Sequence, residues 1–416
     1  MKDARGRNRV VVTGLGTVNP VGNNVEEFWQ GLIEGRSGIG LTSCCDVSDL
    51  SCRVSGEVKG FNPLDYVDKK EARHMSRFTH LAVAASKMAM ADSGMDREQE
   101  DPERMGIYLG NGIGGLPDIE EGCRTVATRG GMRVNPFFMP KILTNLAAGQ
   151  VSIALGLKGY TSTVSTACAA STQATGEAAE VIRRGYMDVM VAGGTEAGIT
   201  PIGIAGFAVM KALSSHNEEP TKSSRPFDAN RDGFVPSEGS GILILESLEH
   251  ALGRGARILA EIIGFGISAD AYHPVAIDVD GAARAMRWAI EDAGITPGDI
   301  DYINAHGTST PLNDAAETAA IKKVFGNYAY KVPISSTKSM TGHLLGGTGG
   351  VEAVACVKTI NEGIIHPTIN LETPDPECDL DYVPSEARKA EVRTVLSNGF
   401  GFGGQNACLV FRGFEE

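Results

Sequence analysis

The chain has 416 residues, 42% hydrophobic and 21% charged, with a formal net charge of −13. That length exceeds one small core and implies two domains or one large duplicated domain. The acidic balance argues against a nucleic-acid binder, which is normally basic, and no apolar run approaches the roughly 18 residues of a membrane helix.

In chain order, apolar β-branched runs alternate with longer helical patterns, the signature of an α/β fold. Strands are expected at Arg9–Thr13, Met105–Leu109, Val189–Ala192, Gly241–Leu245, Ile300–Asn304 and Thr394–Ser397. Helices are expected at Asn24–Glu34, Ser76–Ser93, Cys168–Arg184, Gly281–Ala293 and Asp314–Phe325. The N-terminus, MKDARGRNRVVVTGLG, enters a strand directly and carries no targeting signal. Glycine accounts for 52 of 416 residues, well above the average of about 7%. The excess sits in short loops, where backbone turns tightly or approaches a ligand.

Two segments look alike. Residues 161–185, TSTVSTACAASTQATGEAAEVIRRG, and residues 332–363, VPISSTKSMTGHLLGGTGGVEAVACVKTINEG, each read as a short Ser/Thr-rich strand, a turn and a long helix. Each has one reactive side chain where the turn enters the helix, Cys168 and His343. The chain is therefore read as two related halves, 1–255 with the nucleophile and 256–416 with two histidines.

The eight cysteines, Cys44, Cys45, Cys52, Cys123, Cys168, Cys356, Cys378 and Cys408, form no C-x-x-C pair, so no metal site is expected. Their irregular spacing fits reduced thiols in a cytoplasmic compartment. Cys168, in STACAAST, is the candidate nucleophile. At a helix start its sulfur meets free N–H groups and the positive dipole end, which lowers a thiol pKa. The bland alternative is a small buried hydrophobe.

His306 follows the strand IDYIN in the loop NAHGTSTPLND, where ligands bind in α/β sheets, and Thr308 and Thr310 add hydroxyls. His343 lies in STKSMTGHLLGG with Lys338 before it and Glu352 after it. A lysine beside an imidazole disfavours imidazolium, and a carboxylate can hold the lysine. A neutral imidazole can then donate from Nε2 to a developing oxyanion. The loop SNGFGFGGQN can bring backbone N–H groups close to a substrate oxygen. GNGIGG, residues 110–115, fits G-x-G-x-x-G, but no βαβ unit with a terminal acid follows, so no dinucleotide site is expected.

Together RVVVTGLGTVNPVGN, NPFFMPKILTN, STACAAST, SRPFDANRDGFV, SADAYH, NAHGTSTPLND, STKSMTGHLLG and SNGFGFGGQN resemble, in order and spacing, the β-ketoacyl-[acyl carrier protein] synthases, most closely the elongating type II enzymes. The resemblance runs almost end to end. It implies the thiolase fold, a duplicated five-layered αβαβα architecture, and a homodimer. It implies fatty-acid or related polyketide or polyene elongation by decarboxylative Claisen condensation, without a cofactor, on substrates carried by the 4′-phosphopantetheine of acyl carrier protein.

By resemblance, Cys168 accepts the acyl chain. His306 and His343 activate the malonyl thioester, with Lys338 and Glu352 in support. Backbone N–H groups of Cys168 and Phe402 form an oxyanion hole. Phe402, with Phe400 beside it, gates the site, Ile113 walls the acyl pocket, and Thr308 and Thr310 meet phosphopantetheine. Lys69, Lys70, Arg73, Arg133 and Lys211 are the expected carrier-docking patch. Some relatives hold a monovalent cation near positions matching Asn304, Glu352, Ser397 and Asn398.

Three departures stand out. GFVPSEGSG replaces the family's GFVMGEGAG, HLLGGTGG replaces HLLGAAGA, and the loop after SADAY is shortened and lacks a threonine. Two of the three are expected in surface loops facing the carrier arm, which suggests a specialised carrier or substrate. An initiating Cys–His–Asn synthase is disfavoured by His343 in its GHLLG setting. A degradative thiolase is disfavoured by the surroundings of Cys408, and a non-catalytic chain-length-factor partner by the presence of Cys168.

Overall fold

The computed structural model describes residues 1–415. The first half runs β1 (Val10–Val18), α1 (Arg77–Asp92), β2 (Met105–Gly110), α2 (Leu146–Leu155), β3 (Thr161–Val164), α3 (Ala170–Arg183), β4 (Val189–Ala197) and β5 (Glu238–Ser247). The second half runs β6 (Ala260–Ala269), α4 (Val279–Ala293), β7 (Tyr302–Asn304), α5 (Pro311–Phe325), β8 (Ile334–Ser335), α6 (Thr348–Glu362), β9 (Thr394–Gly401) and β10 (Gln405–Arg412).

The strands join in the order β3-β2-β4-β5-β1-β6-β10-β9-β7-β8. Adding five to each first-half label reproduces the second half, read outward from the β1–β6 seam. Parallel and antiparallel pairings repeat with it: β2 is parallel to β3 and β4, and β7 to β8 and β9, while the pairs around β5 and β10 are antiparallel. At the seam Val11 and Val12 pair with Glu261 and Ala260. Helices α3 and α6 form the middle layer and pack on each other and on strands of both halves; α1 and α2 cover one outer face, α4 and α5 the other. This is the duplicated five-layered αβαβα arrangement.

The duplication extends to single glycines. A Cβ on Gly16 would sit 2.0 Å from the Ala85 carbonyl oxygen, and one on Gly14 2.2 Å from that of Ala89. In the other half Gly266 faces Ala285 at 2.3 Å and Gly264 faces Ala289 at 2.2 Å. Glycine in a strand marks close backbone approach, and here α1 and α4 each lie directly on strand backbone. The same glycines hide β6 in the sequence, because AEIIGFGISA reads as an interrupted run.

Other boundaries differ from the sequence reading. Strands β1, β4, β5 and β9 continue further, and the helices Leu116–Arg129, Leu146–Leu155 and Pro201–Val209 were not foreseen. Helix α3 starts at Ala170, with Cys168 in the preceding 3₁₀ turn. The repeat also shifts. Ala167 and Leu345 share a left-handed φ of 48°, each opening a 3₁₀ turn into a central helix. Cys168 therefore corresponds to Gly346, and His343 stands three residues earlier.

One of the two departures expected at the surface is also relocated. Ser237, Glu238 and Ser240 are buried, as is the Gly346–Gly350 run; only the shortened loop lies at the surface, with Val275 and Ile277 at a cavity mouth.

Replacing Gly266 with alanine forces a Cβ into the Ala285 carbonyl. The expected cost is about 2–3 kcal/mol, read as a lower denaturation midpoint at unchanged slope. An unchanged midpoint would mean that α4 can move off β6.

Candidate active site

Three loops converge where α3 and α6 begin. The turn before α3 carries Cys168, the loop after β7 carries His306, and the segment between β8 and α6 carries Lys338 and His343. Backbone pairing fixes His343, whose N–H donates to the Val235 carbonyl at 2.8 Å and whose carbonyl accepts the Ser237 N–H at 3.0 Å. Glu317 on α5 fixes the His306 loop by accepting the N–H groups of His306 and Gly307, both at 2.8 Å.

Cys168 Sγ lies 3.0 Å from His343 Nε2. The Leu345 N–H donates to His343 Nδ1 at 3.2 Å, and Thr348 Oγ1 lies 3.0 Å from the same nitrogen. Because Nδ1 accepts from a backbone N–H, the proton of the neutral ring is on Nε2, aimed at the sulfur. The two imidazole centroids are 5.6 Å apart, and Phe400 lies 5.6 Å from His306 on its other side.

Lys338 holds this geometry. Its fully buried ammonium donates to Glu352 Oε1 at 2.6 Å and to the His306 carbonyl at 2.5 Å. Burial, then the Lys338 charge, pushes His306 and His343 well below the usual imidazole value, so both rings are neutral at physiological pH. Glu352 is raised to about 7 by burial and pulled back by Lys338.

Cys168 departs from its sequence expectation. Burial pushes the thiol up to about 12, against opposing pulls from the Lys338 charge and the N–H groups of Phe402 and Cys168. At this buried sulfur desolvation outweighs the helix-start effect. The sulfur rests as a thiol.

A cavity of about 330 Å³ contains all three groups. Ile113, Ala167, Phe207, Leu345, Phe400 and Phe402 line its apolar part; Thr308, Thr310, Asn313 and Lys211 line the polar side of its mouth. Thr308 and Thr310 share a 2.9 Å hydrogen bond. Lys69, Lys70, Arg73, Arg133 and Lys211 are exposed. The ring of His74 stacks on Phe137 at 3.8 Å, bringing the Arg133 segment beside the Lys69–Ala72 helix. Lys211 is apart from these, at the cavity mouth.

The donor atoms of Cys168, His306 and His343 lie within 4.8 Å of one another. Tetrahedral zinc, bound at about 2.3 Å to sulfur and about 2.0 Å to nitrogen, spaces such donors by roughly 3.5 Å. The 3.0 Å contact is a hydrogen bond instead. At the candidate cation positions, Asn304 Nδ2 donates to Ser397 Oγ at 3.2 Å and Asn398 Nδ2 to Glu317 at 3.0 Å.

Sequence reasoning missed Glu317, Leu345, Thr348 and Glu196. Glu317, Leu345 and Glu196 act through backbone N–H groups, which leave no side-chain pattern in the sequence, while Thr348 meets the His343 ring through its hydroxyl.

Substituting Lys338 with methionine removes the charge that opposes imidazolium. Both histidine pKa values then move up, while burial still holds them below the usual imidazole value. Turnover at pH 7 is expected to fall on the order of 100-fold, with a new acid limb in the pH–rate profile. A profile of unchanged shape would mean that desolvation alone keeps the rings neutral.

A model of the β-ketoacyl synthase N-terminal domain matches residues 7–251, and one of the β-ketoacyl synthase C-terminal domain matches residues 259–372. The 3-oxoacyl-[acyl-carrier-protein] synthase 2 of Synechocystis sp. is 51% identical over 411 residues, covering 98% of this chain and 99% of that one. The protein of the same name from Staphylococcus aureus (strain COL) is 48% identical over 409 residues, with coverage of 98% and 99%. Among solved structures, the ishigamide ketosynthase/chain length factor superposes with a TM-score of 0.93 at 37% identity, covering 98% and 100% of the two chains. A β-ketoacyl synthase from Burkholderia phymatum gives 0.90 at 38% identity, with the same coverage.

Proposed function

Because the chain belongs to the β-ketoacyl synthase family, we infer that it catalyses decarboxylative Claisen condensation of an acyl chain with malonyl-[acyl carrier protein], giving 3-oxoacyl-[acyl carrier protein] and CO2. The observation that carries this reading is the neutral His343 Nε2–H, 3.0 Å from Cys168 Sγ, in a site that also holds a second neutral imidazole.

In the first half-reaction the Cys168 sulfur attacks the acyl thioester of the carrier, and its proton leaves with the carrier thiol. The N–H groups of Cys168 and Phe402 take the oxyanion, and the acyl chain lies along Ile113. A soft sulfur suits thioester exchange. The malonyl thioester then enters past Thr308 and Thr310. His306 and His343 donate from Nε2 to its carbonyl oxygen, which stabilises the enolate as CO2 leaves. The enolate carbon attacks the Cys168 thioester, the new carbon–carbon bond forms, and the sulfur leaves and regains a proton. Every step is carried by side chains and backbone N–H groups, with the substrates on phosphopantetheine.

The acidic acyl carrier protein docks through Lys69, Lys70, Arg73, Arg133 and Lys211, all exposed. A solved relative captures an acyl-carrier protein with its ketosynthase at 37% identity, which supports a carrier partner here. The enzyme works in the cytoplasm as a homodimer. Supporting the dimer, β3 is an exposed sheet edge beside the exposed Tyr160 and Ile153. Unpaired edges of this kind are normally covered. Supporting the compartment, all eight cysteines are free thiols; among the described residues no helix is long and apolar enough to cross a membrane. Each half, 1–255 and 256–416, is one copy of the ancestral unit, and neither completes the site alone. The apolar Val275 and Ile277 at the mouth, where the family's loop carries a threonine, favour a carrier or substrate of specialised type.

Incubation with an acyl carrier thioester should add one acyl mass to Cys168, seen by peptide mass spectrometry, and Cys168→Ala should add none. An unmodified Cys168 in the wild-type protein would overturn the enzyme reading. Reversing charge with Arg73→Glu should raise KM for the carrier roughly tenfold with little change in kcat. An unchanged KM would move docking elsewhere.

A further inference from the structure

Glu196 lies near the end of β4 and is fully buried. Its carboxylate accepts the backbone N–H groups of Gly112 at 2.8 Å, Ile113 at 3.2 Å and Gly346 at 3.1 Å. The Asn111 side-chain nitrogen adds a fourth donor at 3.1 Å. Four neutral donors stand in for a counter-ion. Burial raises the carboxyl to about 7, and the N–H groups pull it back.

The glycine-rich loop GNGIGG therefore does what such loops do for phosphates, but its anion belongs to the protein. The fit requires glycine. A Cβ on Gly112 would lie 2.6 Å from Glu196 Oε2, and one on Gly346 2.2 Å from the Gly112 nitrogen.

The two segments that meet at this carboxylate have different roles. One carries Ile113, which lines the cavity beside Cys168. The other carries Leu345, whose N–H sets the tautomer of His343. Gly112 and Gly346 are in direct contact, so neither segment can move without the other while Glu196 bridges them.

We propose that Glu196 is a positioning residue that couples the acyl-chamber wall at Ile113 to the turn at Leu345–Gly346 that aims His343. A seated acyl chain and a correctly aimed imidazole then occur as one state. This rests on the condensing reading above.

The test is Glu196→Gln, which keeps the shape but turns an NH2 group toward backbone donors. Acetyl and palmitoyl carrier thioesters serve as acyl donors and malonyl carrier as extender, with the melting temperature measured alongside. Condensation kcat is expected to fall at least roughly tenfold at little-changed KM for malonyl carrier. The preference between acetyl and palmitoyl should shift in the same variant, while acyl adduct still forms on Cys168. A folded variant in which kcat falls without a change of chain preference, or the reverse, or neither, overturns the coupling. If Glu196→Gln does not fold, Asn111→Ala removes one donor and must show the same paired changes at smaller size; their absence also overturns it. Failure of the wild-type protein to form the adduct would instead overturn the condensing reading.

Discussion

A single buried ammonium holds the site together. Lys338 reaches both the His306 carbonyl and Glu352 on α6, tying the loop after β7 to the middle helical layer. A buried charge is tolerable only when its hydrogen bonds are satisfied, so these segments are fixed relative to one another. The same charge adds to burial in keeping both imidazoles neutral. Both histidines feel its field, and His306 is held through its backbone carbonyl as well.

Much of this was legible in the sequence. The alternation of strands and helices gave the class, and the ordered motifs pointed to the five side chains that converge. What was not legible was carried by backbone. Strand β6 was hidden because Gly264 and Gly266 interrupt its apolar pattern, yet they are present because α4 lies directly on them. The Cys168 thiol was read from its place at a helix start, a local property, whereas its resting state is governed by desolvation from residues distant in sequence. The likeness of the two halves was visible, but its alignment slipped by three residues, because the match lies in the left-handed turns at Ala167 and Leu345 and not in the reactive side chains.

Glycine shows why composition alone misleads. Some glycines here let helices touch strands, others let a loop close around a carboxylate, and others turn the chain at helix ends. All three uses follow from the missing Cβ, and only neighbouring atoms distinguish them. GNGIGG fits the pattern of a cofactor loop, no dinucleotide site was expected there, and its backbone N–H groups hold the Glu196 carboxylate.

The place of β1 in the sheet has a consequence for how the protein is made. Among the described residues the strand Val10–Val18 pairs only with β5 and β6, which begin at Glu238 and Ala260. On a ribosome adding 5–20 residues per second, the strand waits roughly ten to forty-five seconds for a partner. Throughout that interval the strand's edges lack a partner, the condition under which nascent chains associate wrongly. Gly14 and Gly16 lower its tendency to form strands with other chains. The residues that admit α1 in the finished fold thus also protect the newborn one.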